Sequence, residues 1–328
     1  MRRAGLLLLG AALACGGSPP PPLPPAPDPA PANAVTHRAD GERLFDVVRT
    51  LSSPEYGGRR TGSEGGRLTR QWLVERFQAA GLKPVDADYL LPFEFTHYSV
   101  RGVFEKDRPF RTRFRDAANV AGTLDGRAPA ARTIVVSAHY DHLGTPGGQL
   151  YPGADDNASG VAVLLEAARW FAADPPRHPM LFVAFDAEEM GLKGSEAFVD
   201  HPPLGRERIA IDVNFDMVSR NDRNEIYAAG PTRYPFLRPI LDEVRQHSAV
   251  KIEYGHDRPG TGADDWTDQS DQGPFAEAGI PFLYFGVEDH ADYHRPSDTA
   301  DKIDPAFFTG VADMVLEALD RLDQTLPD

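Results

Sequence analysis

Continuous apolar runs alternate with helical patterns along most of the chain after residue 130. The runs that predict strands are TIVVSAH (133–139), MLFVAFDAEE (180–189), IAIDVNFDMV (209–218), EIYAA (225–229) and IPFLYFGV (280–287). Helical spacing falls between and after them, at 161–172, 193–200, 234–247 and 304–323, and Pro239 is expected to break or kink the third of these helices. Strands that are apolar throughout are buried on both faces. The alternation therefore predicts an α/β three-layer sandwich with a mostly parallel mixed central sheet flanked by helices.

The region before these strands has a different pattern. Helical spacing covers 36–51 and 65–80, and the glycine-rich stretch GGRRTGSEGG (57–66) separates the two helices. Three short β-like runs follow: ADYLLPFEF, SVRGVFEK and ANVAGTL. We see no internal repeat, so these segments are expected to complete one domain.

The amino-terminal residues have the composition of an export signal. Residues 1–15, MRRAGLLLLGAALAC, combine two arginines with a short apolar run and end at the only cysteine, Cys15. The stretch AALAC resembles a lipoprotein cleavage site, and ordinary signal cleavage nearby is the alternative. Residues 16–35 are proline-rich and predict an extended linker, which leaves 36–328 as a single folded domain. We expect an exported protein that is lipid-anchored to the cell envelope, periplasmic or secreted.

Composition argues against nucleic-acid binding and excludes a disulfide within the chain. The chain of 328 residues carries a formal net charge of −15, which is unsuited to binding nucleic acid because phosphate requires basic surfaces. A single cysteine also precludes a disulfide within the chain. The fold must therefore rest on its apolar core or on metal ions.

Metal-ligating residue types follow the strongest predicted strands. His139 comes at the end of the first, Asp216 follows the run IAIDVNF, and the last strand is followed by Tyr293 and His294. Glu188 and Glu189 follow MLFVAFDA, and Asp155 and Asp156 lie in the loop before the helix at 161–172. Functional groups in such sheets collect beyond the carboxyl ends of the strands. Imidazole and carboxylate donors suit zinc, and this number of donors suits two metal ions.

Five ordered motifs connect the chain to a known family. HYDHLG, GADDNASG, DAEEMGLKGS, NFDMV and YHRPSDT resemble the secreted di-zinc aminopeptidases of metallopeptidase family 28. The resemblance covers about 40–325 and includes RRTGSEGG. It implies a single α/β domain of the zinc exopeptidase type, two zinc ions, and peptide substrates with a free N-terminus. A monomer is also expected.

The resemblance assigns the metal ligands by motif position. It implies that His139 and Asp216 hold one zinc ion and that Glu189 and His294 hold the other. Asp156 would bridge the two ions together with a water or hydroxide, and the peptide bond after it is expected to be cis. Asp155 would then be a neighbour of the ligands and not itself a ligand.

Three further residues receive catalytic roles from the same resemblance. Glu188 is the expected general base, which takes a proton from the bridging water and passes it to the leaving amine. Asp141 matches a carboxylate that orients His139. Tyr293 either polarises the scissile carbonyl or serves as a packing aromatic.

Several residues near the motifs keep alternative interpretations. His290 precedes His294 by four residues and could compete with it as a ligand, although the YHRPSDT motif favours His294. His142 matches no ligand position. The turn-rich segment 255–274 is expected to line a pocket, and its Ser270 and Asp271 match a Ser-Asp motif of the family. Gln272 stands where the family often has histidine, which leaves the substrate preference open.

Three other functions remain possible from the sequence. Glutaminyl cyclases share the fold and use one zinc ion, but carry a longer, tryptophan-containing insertion after the acidic pair, where EEMGLKGS is short. A carboxypeptidase of the same family is the second alternative. The third is a non-catalytic binding module, which would be expected to lack some of the ligands or the base.

Overall fold

In the part of the chain that the structure describes, a mixed sheet of nine strands forms the centre of the fold. The computed structural model describes residues 38–99, 110–128 and 132–327. The predicted signal peptide, the proline-rich linker and most of the run SVRGVFEK lie outside these residues, and the predicted domain boundaries stay predictions. The strands are β1 (Lys83–Pro84), β2 (Leu90–Ser99), β3 (Phe110–Leu124), β4 (Thr133–His139), β5 (Met180–Phe185), β6 (Ile209–Asp216), β7 (Glu225–Ala229), β8 (Lys251–Tyr254) and β9 (Phe282–Gly286).

The strand order brings four parallel strands together in the middle of the sheet. The order is β1-β3-β5-β4-β6-β9-β7-β8, and β2 pairs with β3 outside this path. Strands β5, β4, β6 and β9 are mutually parallel, while β3 and β7 join them in antiparallel fashion. In register, the last residue of β4 lies opposite Phe185, and Asp216 lies opposite Gly286. The carboxyl ends of the central strands are therefore level, and side chains that follow them share one edge.

Helices cover both faces of this sheet. The helices are α1 (Gly41–Leu51), α2 (Glu64–Ala79), α3 (Gly160–Ala173), α4 (Lys193–Asp200), α5 (Leu237–Arg245), α6 (Gln272–Glu277) and α7 (Pro305–Thr325). Asp40, Ser63 and Asp304 cap α1, α2 and α7 by accepting hydrogen bonds from backbone N–H groups of the first turns. Within the described part of the chain, no helix is long and apolar enough to cross a bilayer.

Alternate residues of the central strands belong to different cores. Ile134 and Phe182 pack in the large core beneath α1, α3 and α7, whereas Val135 and Leu181 pack in the smaller core near α4 and α6. All four side chains have no exposed surface. Successive side chains of a strand point to opposite faces, so a strand that is apolar throughout requires cover on both sides. The predicted α/β sandwich with helices on both faces of a mixed sheet is confirmed.

Most predicted elements have bounds close to those observed. The predicted bounds of β4, β7 and α4 coincide with the structure, and the strand predicted over 180–189 ends earlier, at Phe185. The helix predicted from residue 234 begins at Leu237, which puts Pro239 in its first turn. Proline is tolerated in the first turn because the N–H groups there have no partner within the helix. The expected break in mid-helix is therefore wrong.

Candidate metal centre

Two parallel strands end in facing metal-ligand side chains. His139 is the last residue of β4 and Asp216 the last of β6, and His139 Nε2 lies 3.2 Å from Asp216 Oδ1. The next residue after Asp216, Met217, has a positive φ of 56°, which costs an ordinary residue conformational energy. Burial alone would lower the pKa of His139, but Asp216 and the neighbouring Glu188 raise it well above its usual value.

Asp156 lies between two histidines. Its Oδ1 is 3.5 Å from His139 Nε2, and its Oδ2 is 3.1 Å from His294 Nε2. The residue sits in the irregular helical turn Ala154–Ser159 that leads into α3, and its carboxylate is almost fully buried. One carboxylate thus contacts the histidine of one strand end and the histidine of a distant loop.

A network of hydrogen bonds holds the loop that carries Asp156. The Asp298 carboxylate accepts the backbone N–H groups of Asp155 and Asp156, each at 3.1 Å. The Asn157 side chain donates to the carbonyl of Phe215 and accepts from the N–H of Gly160. The peptide bond between Asp156 and Asn157 is cis, as the resemblance implies. Asp298 is part of YHRPSDT, so the motif contained it, but sequence reasoning gave it no role.

Glu189 contacts two histidines from different segments. Its Oε1 lies 2.7 Å from His142 Nδ1, and its Oε2 lies 3.2 Å from His294 Nε2. Burial would raise the pKa of Glu189, but the hydrogen bonds with His142 and His294 hold it well below its usual range. Glu189 therefore joins the HYDHLG loop to the YHRPSDT loop.

Glu188 faces a different direction from its neighbour. It lines a cavity together with His139, Asp216 and Tyr293. The turn that holds it has positive φ at Ala187 (59°). Burial raises the pKa of Glu188 well above its usual value, and the charge of Asp216 adds to the increase. Its carboxylate is thus available to a molecule that enters the cavity.

Asp141 holds the Glu188 turn more directly than it holds His139. Its Oδ1 accepts the backbone N–H of Glu188 at 3.0 Å, and its Oδ2 accepts the Thr61 hydroxyl at 3.2 Å. The carboxylate lies 3.8 Å from His139 Nδ1, and the closer acceptor for that nitrogen is the backbone carbonyl of Asp141 at 3.2 Å. The residue is therefore next to the expected histidine, but its strongest contact fixes the backbone of the neighbouring glutamate.

Tyr293 and the two remaining histidines have distinct surroundings. Tyr293 lines the cavity and stacks on His294, with ring centroids 3.9 Å apart. His290 Nε2 bonds Asp155 Oδ2 at 3.0 Å and does not share the contacts of His294 with Asp156 and Glu189. His142 lies in the site despite matching no predicted ligand position, and its Nε2 has no partner among the described residues.

The segment 255–274 lies along the cavity, as predicted. Trp266, Gln269, Ser270 and Gln272 all line it. Gln272 is held on both sides, because its Oε1 accepts from the Asn214 amide and its Nε2 donates to the carbonyl of Trp266. The glutamine in this motif is therefore part of the cavity wall, fixed by two hydrogen bonds.

Two potential ligand groups share one carboxylate. Among the described residues they are His139, Asp156 and Asp216, and His142, Asp156 and Glu189, with the ligand atoms of each group within 4.8 Å of one another. His294 adds a third histidine next to the second group. Buried carboxylates this close repel one another unless a cation compensates them. Imidazole and carboxylate donors in this arrangement fit zinc.

The chain belongs to peptidase family M28, whose family model matches residues 119–319. The family recognised from the five motifs is thereby confirmed. Aminopeptidase YwaD of Bacillus subtilis is 32% identical over 198 residues. This match covers 57% of the chain and only 40% of that relative, so the chain spans less than half of its length.

Solved structures share the fold at lower identity. A zinc aminopeptidase from Bacillus subtilis, BSAP, superimposes with a TM-score of 0.67 at 17% identity. The match covers 85% of the present chain and 94% of the BSAP chain. The glutaminyl cyclase of Porphyromonas gingivalis superimposes with a TM-score of 0.64 at 19% identity. The match covers 87% of the present chain and 99% of the cyclase chain. The fold alone thus accommodates both chemistries, and the distinction must come from the site.

Proposed function

We propose that the chain is a co-catalytic di-zinc aminopeptidase that removes single residues from the N-terminus of peptides. The observation that carries the proposal is the position of Asp156, whose two carboxylate oxygens face different histidines. Family membership and the aminopeptidases among the similar proteins support the same reaction. A carboxylate with one oxygen towards each side is suited to holding two neighbouring metal ions.

We propose that the ligands divide as the motif positions imply. His139 and Asp216 would hold one zinc ion, Glu189 and His294 the other, and Asp156 both. Bound zinc would supply Lewis acidity, which polarises a scissile carbonyl and lowers the pKa of an attacking water. His142, which bonds Glu189 Oε1, would orient that ligand.

Glu188 is the proposed proton carrier. Its side chain lines the cavity beside His139 and Asp216, and Asp141 fixes its backbone N–H. From this position it would accept a proton from the attacking water and donate it to the leaving amine. Tyr293 would donate a hydrogen bond to the scissile carbonyl oxygen, with its ring held by stacking on His294.

The charges that line the cavity favour a free amine. Glu188, Asp216 and Asp289 all contribute to the lining. A protonated or metal-ligating α-amine would be attracted to these carboxylates, whereas an acetylated amine would lose that attraction and need additional space. The cavity is therefore suited to the N-terminal end of a peptide.

The test compares free and blocked peptides on the zinc-loaded protein. We expect a free leucyl peptide to be shortened one residue at a time, its N-acetylated form to resist hydrolysis, and a glutaminyl peptide to lose its glutamine without cyclisation. Removal of metal with a chelator should abolish activity, and zinc should restore it at two ions per chain. Cleavage of acetylated peptides from the carboxyl end would instead identify a carboxypeptidase. Pyroglutamate formation at one zinc ion per chain would identify a glutaminyl cyclase.

We further propose that the enzyme is exported and lipid-anchored through Cys15, on the strength of the sequence AALAC alone. Replacement of this residue in Cys15→Ser should move the protein from the membrane fraction to the soluble exported fraction. An unchanged distribution on fractionation would leave simple signal cleavage as the mode of export.

A further inference from the structure

Arg59 is a fully buried arginine in the glycine-rich loop that precedes α2. It has no exposed surface, and its backbone φ is +52°, a conformation that glycine adopts easily and other residues adopt with strain. A buried charge and a strained backbone both oppose folding, so the side chain must make compensating contacts.

Every N–H group of the Arg59 guanidinium is used. Five hydrogen bonds run to backbone carbonyl oxygens, which are those of Leu51 (2.8 Å), Tyr140 (2.9 Å), Pro152 (2.6 Å), Gly153 (2.8 Å) and Asp156 (3.3 Å). A guanidinium has five such donors in a rigid plane, which lysine cannot reproduce. The side chain therefore fixes the relative positions of three separate segments.

Two of those segments carry proposed metal ligands. Tyr140 lies between His139 and Asp141, and Pro152, Gly153 and Asp156 belong to the loop of the shared carboxylate. The loop of Arg59 also packs closely on the HYDHLG segment, because a Cβ on Gly58 would lie only 2.5 Å from the carbonyl oxygen of Gly144. One planar group thus sets the distance between the strand end of His139 and the loop of Asp156.

All five hydrogen bonds of Arg59 run to backbone carbonyl oxygens, so none of them pairs its charge with a carboxylate. Burial lowers the pKa of Arg59 to about 10, and the charges of Asp156, Asp298, Asp141 and Glu189 oppose that decrease. The guanidinium therefore remains positively charged near neutral pH. It is a permanent cation close to the acids of the metal centre, present whether or not a metal ion is bound.

We infer that Arg59 is a positioning residue for the metal centre: its fork of five hydrogen bonds holds the Asp156 loop against the His139 strand end, and its charge offsets the repulsion among the acids. The inference rests on the proposed metal centre but not on the aminopeptidase reaction. Arg59 itself is fully buried beneath the backbone that it binds.

The experiment compares Arg59→Lys and Arg59→Met with the same substitutions at Arg60. Arg59→Lys keeps the charge and loses the planar fork, and Arg59→Met loses both. Arg60 is the matched control because it is exposed and its guanidinium donates only a 3.3 Å bond, to the carbonyl of Leu143. Zinc affinity is measured by chelator competition on folded protein, and thermal unfolding is measured without metal. The visible spectrum of the cobalt-substituted protein reports the ligand geometry.

A positioning role predicts roughly ten- to hundredfold weaker zinc binding in Arg59→Lys, the size expected when a group that supports ligands is lost. Arg59→Met should be weaker still, the cobalt spectrum should change in both, and the Arg60 variants should stay within about twofold of the parent. A lower unfolding temperature with unchanged zinc affinity and an unchanged cobalt spectrum would overturn the inference and leave a purely structural arginine.

A third variant covers the case in which neither Arg59 variant folds. Arg59→Gly suits the positive φ and leaves a space of guanidinium size. Guanidinium ion at low millimolar concentration should then restore zinc affinity, while equal concentrations of sodium or methylammonium chloride should not. Failure of guanidinium to restore it would contradict the inference. A parent protein that binds zinc but does not hydrolyse free peptides would refute the proposed reaction and leave this inference standing.

Discussion

The two ends of strand β5 both carry buried histidine and carboxylate groups, yet they differ in charge balance. Before the strand, Asp323 of α7 accepts the N–H groups of Arg177 and His178, each at 2.7 Å, and also contacts His178 Nδ1 at 3.1 Å. His178 Nε2 contacts the carbonyl of Pro327 at 3.3 Å. One acid meets one imidazole, and the polar atoms of both have partners.

After the strand, carboxylates outnumber the histidines that contact them. Glu188 and Glu189 join Asp141, Asp156 and Asp216 around His139, His142 and His294. Burial raises the pKa of Asp216 above its usual value, although the proximity of His139 opposes the increase. Residue type therefore does not distinguish a structural pair from a candidate metal centre. The excess of negative charge does, because a bound cation would relieve the repulsion among these carboxylates beyond what Arg59 offsets.

The largest effect should come from removing the proposed base, Glu188, which lies after β5 where carboxylates outnumber histidines. Glu188→Gln keeps the size of the side chain, but it cannot carry a proton, so kcat should fall by about three orders of magnitude or more. Zinc content should remain that of the parent because Glu188 lies outside both ligand groups. Steady-state kinetics and metal analysis of the same preparation provide the check. Near-normal turnover would show that another group carries the proton.

For the cluster of acids and histidines after β5, the sequence predicted which residues take part better than it predicted which atoms they contact. Apolar runs located β4 and β5 because a strand buried on both faces leaves a local pattern, and the ordered motifs located the polar side chains that the structure brings together after them. The contacts of Asp298 and Asp141 could not be predicted, because each depends on backbone N–H groups 47 to 143 residues away. No local pattern encodes such a partner.

The choice between His290 and His294 illustrates the same limit. A spacing of four suggests a shared helix face, but residues 291–297 form turns, and the two imidazoles contact different acids. The motif favours His294, and His294 is the one of the two that contacts Asp156 and Glu189. His142 was left without a role because no motif position pointed to it, although the structure brings it to Glu189.

A smaller effect is expected from replacing His142. This change tests whether a histidine after β5 matters for zinc binding in a way that His178, before β5, does not. Its bond to Glu189 resembles that of His178 to Asp323, but it lies among proposed ligands. His142→Leu keeps a similar size without a hydrogen-bonding group and should weaken zinc binding by roughly ten- to a hundredfold, because Glu189 loses the partner that orients it. Chelator competition measures the effect.

The control for this variant is His201→Leu, in an exposed position after α4, where no change in zinc affinity is expected. Parent-like zinc affinity in His142→Leu would place His142 with His178, as a histidine whose hydrogen bonds serve the fold alone.

The smallest functional effect should come from a change before β5, where one carboxylate, Asp323, pairs with one imidazole, His178. Asp323→Asn keeps the shape of the side chain but replaces one acceptor oxygen with an NH₂ group, which then faces a backbone N–H of Arg177 or His178. A buried donor left without an acceptor costs about 1–3 kcal/mol, so the free energy of unfolding should fall by that amount in a denaturant titration. Asp320→Asn, on the same helix with a surface ion pair to Arg38 at 3.5 Å, should change it by less than about 1 kcal/mol. Zinc content and kcat of both variants should match the parent, because the pair at the start of β5 already satisfies its own polar atoms. Loss of zinc or turnover in folded Asp323→Asn would mean that the two ends of the strand are coupled, and charge balance alone would no longer separate them.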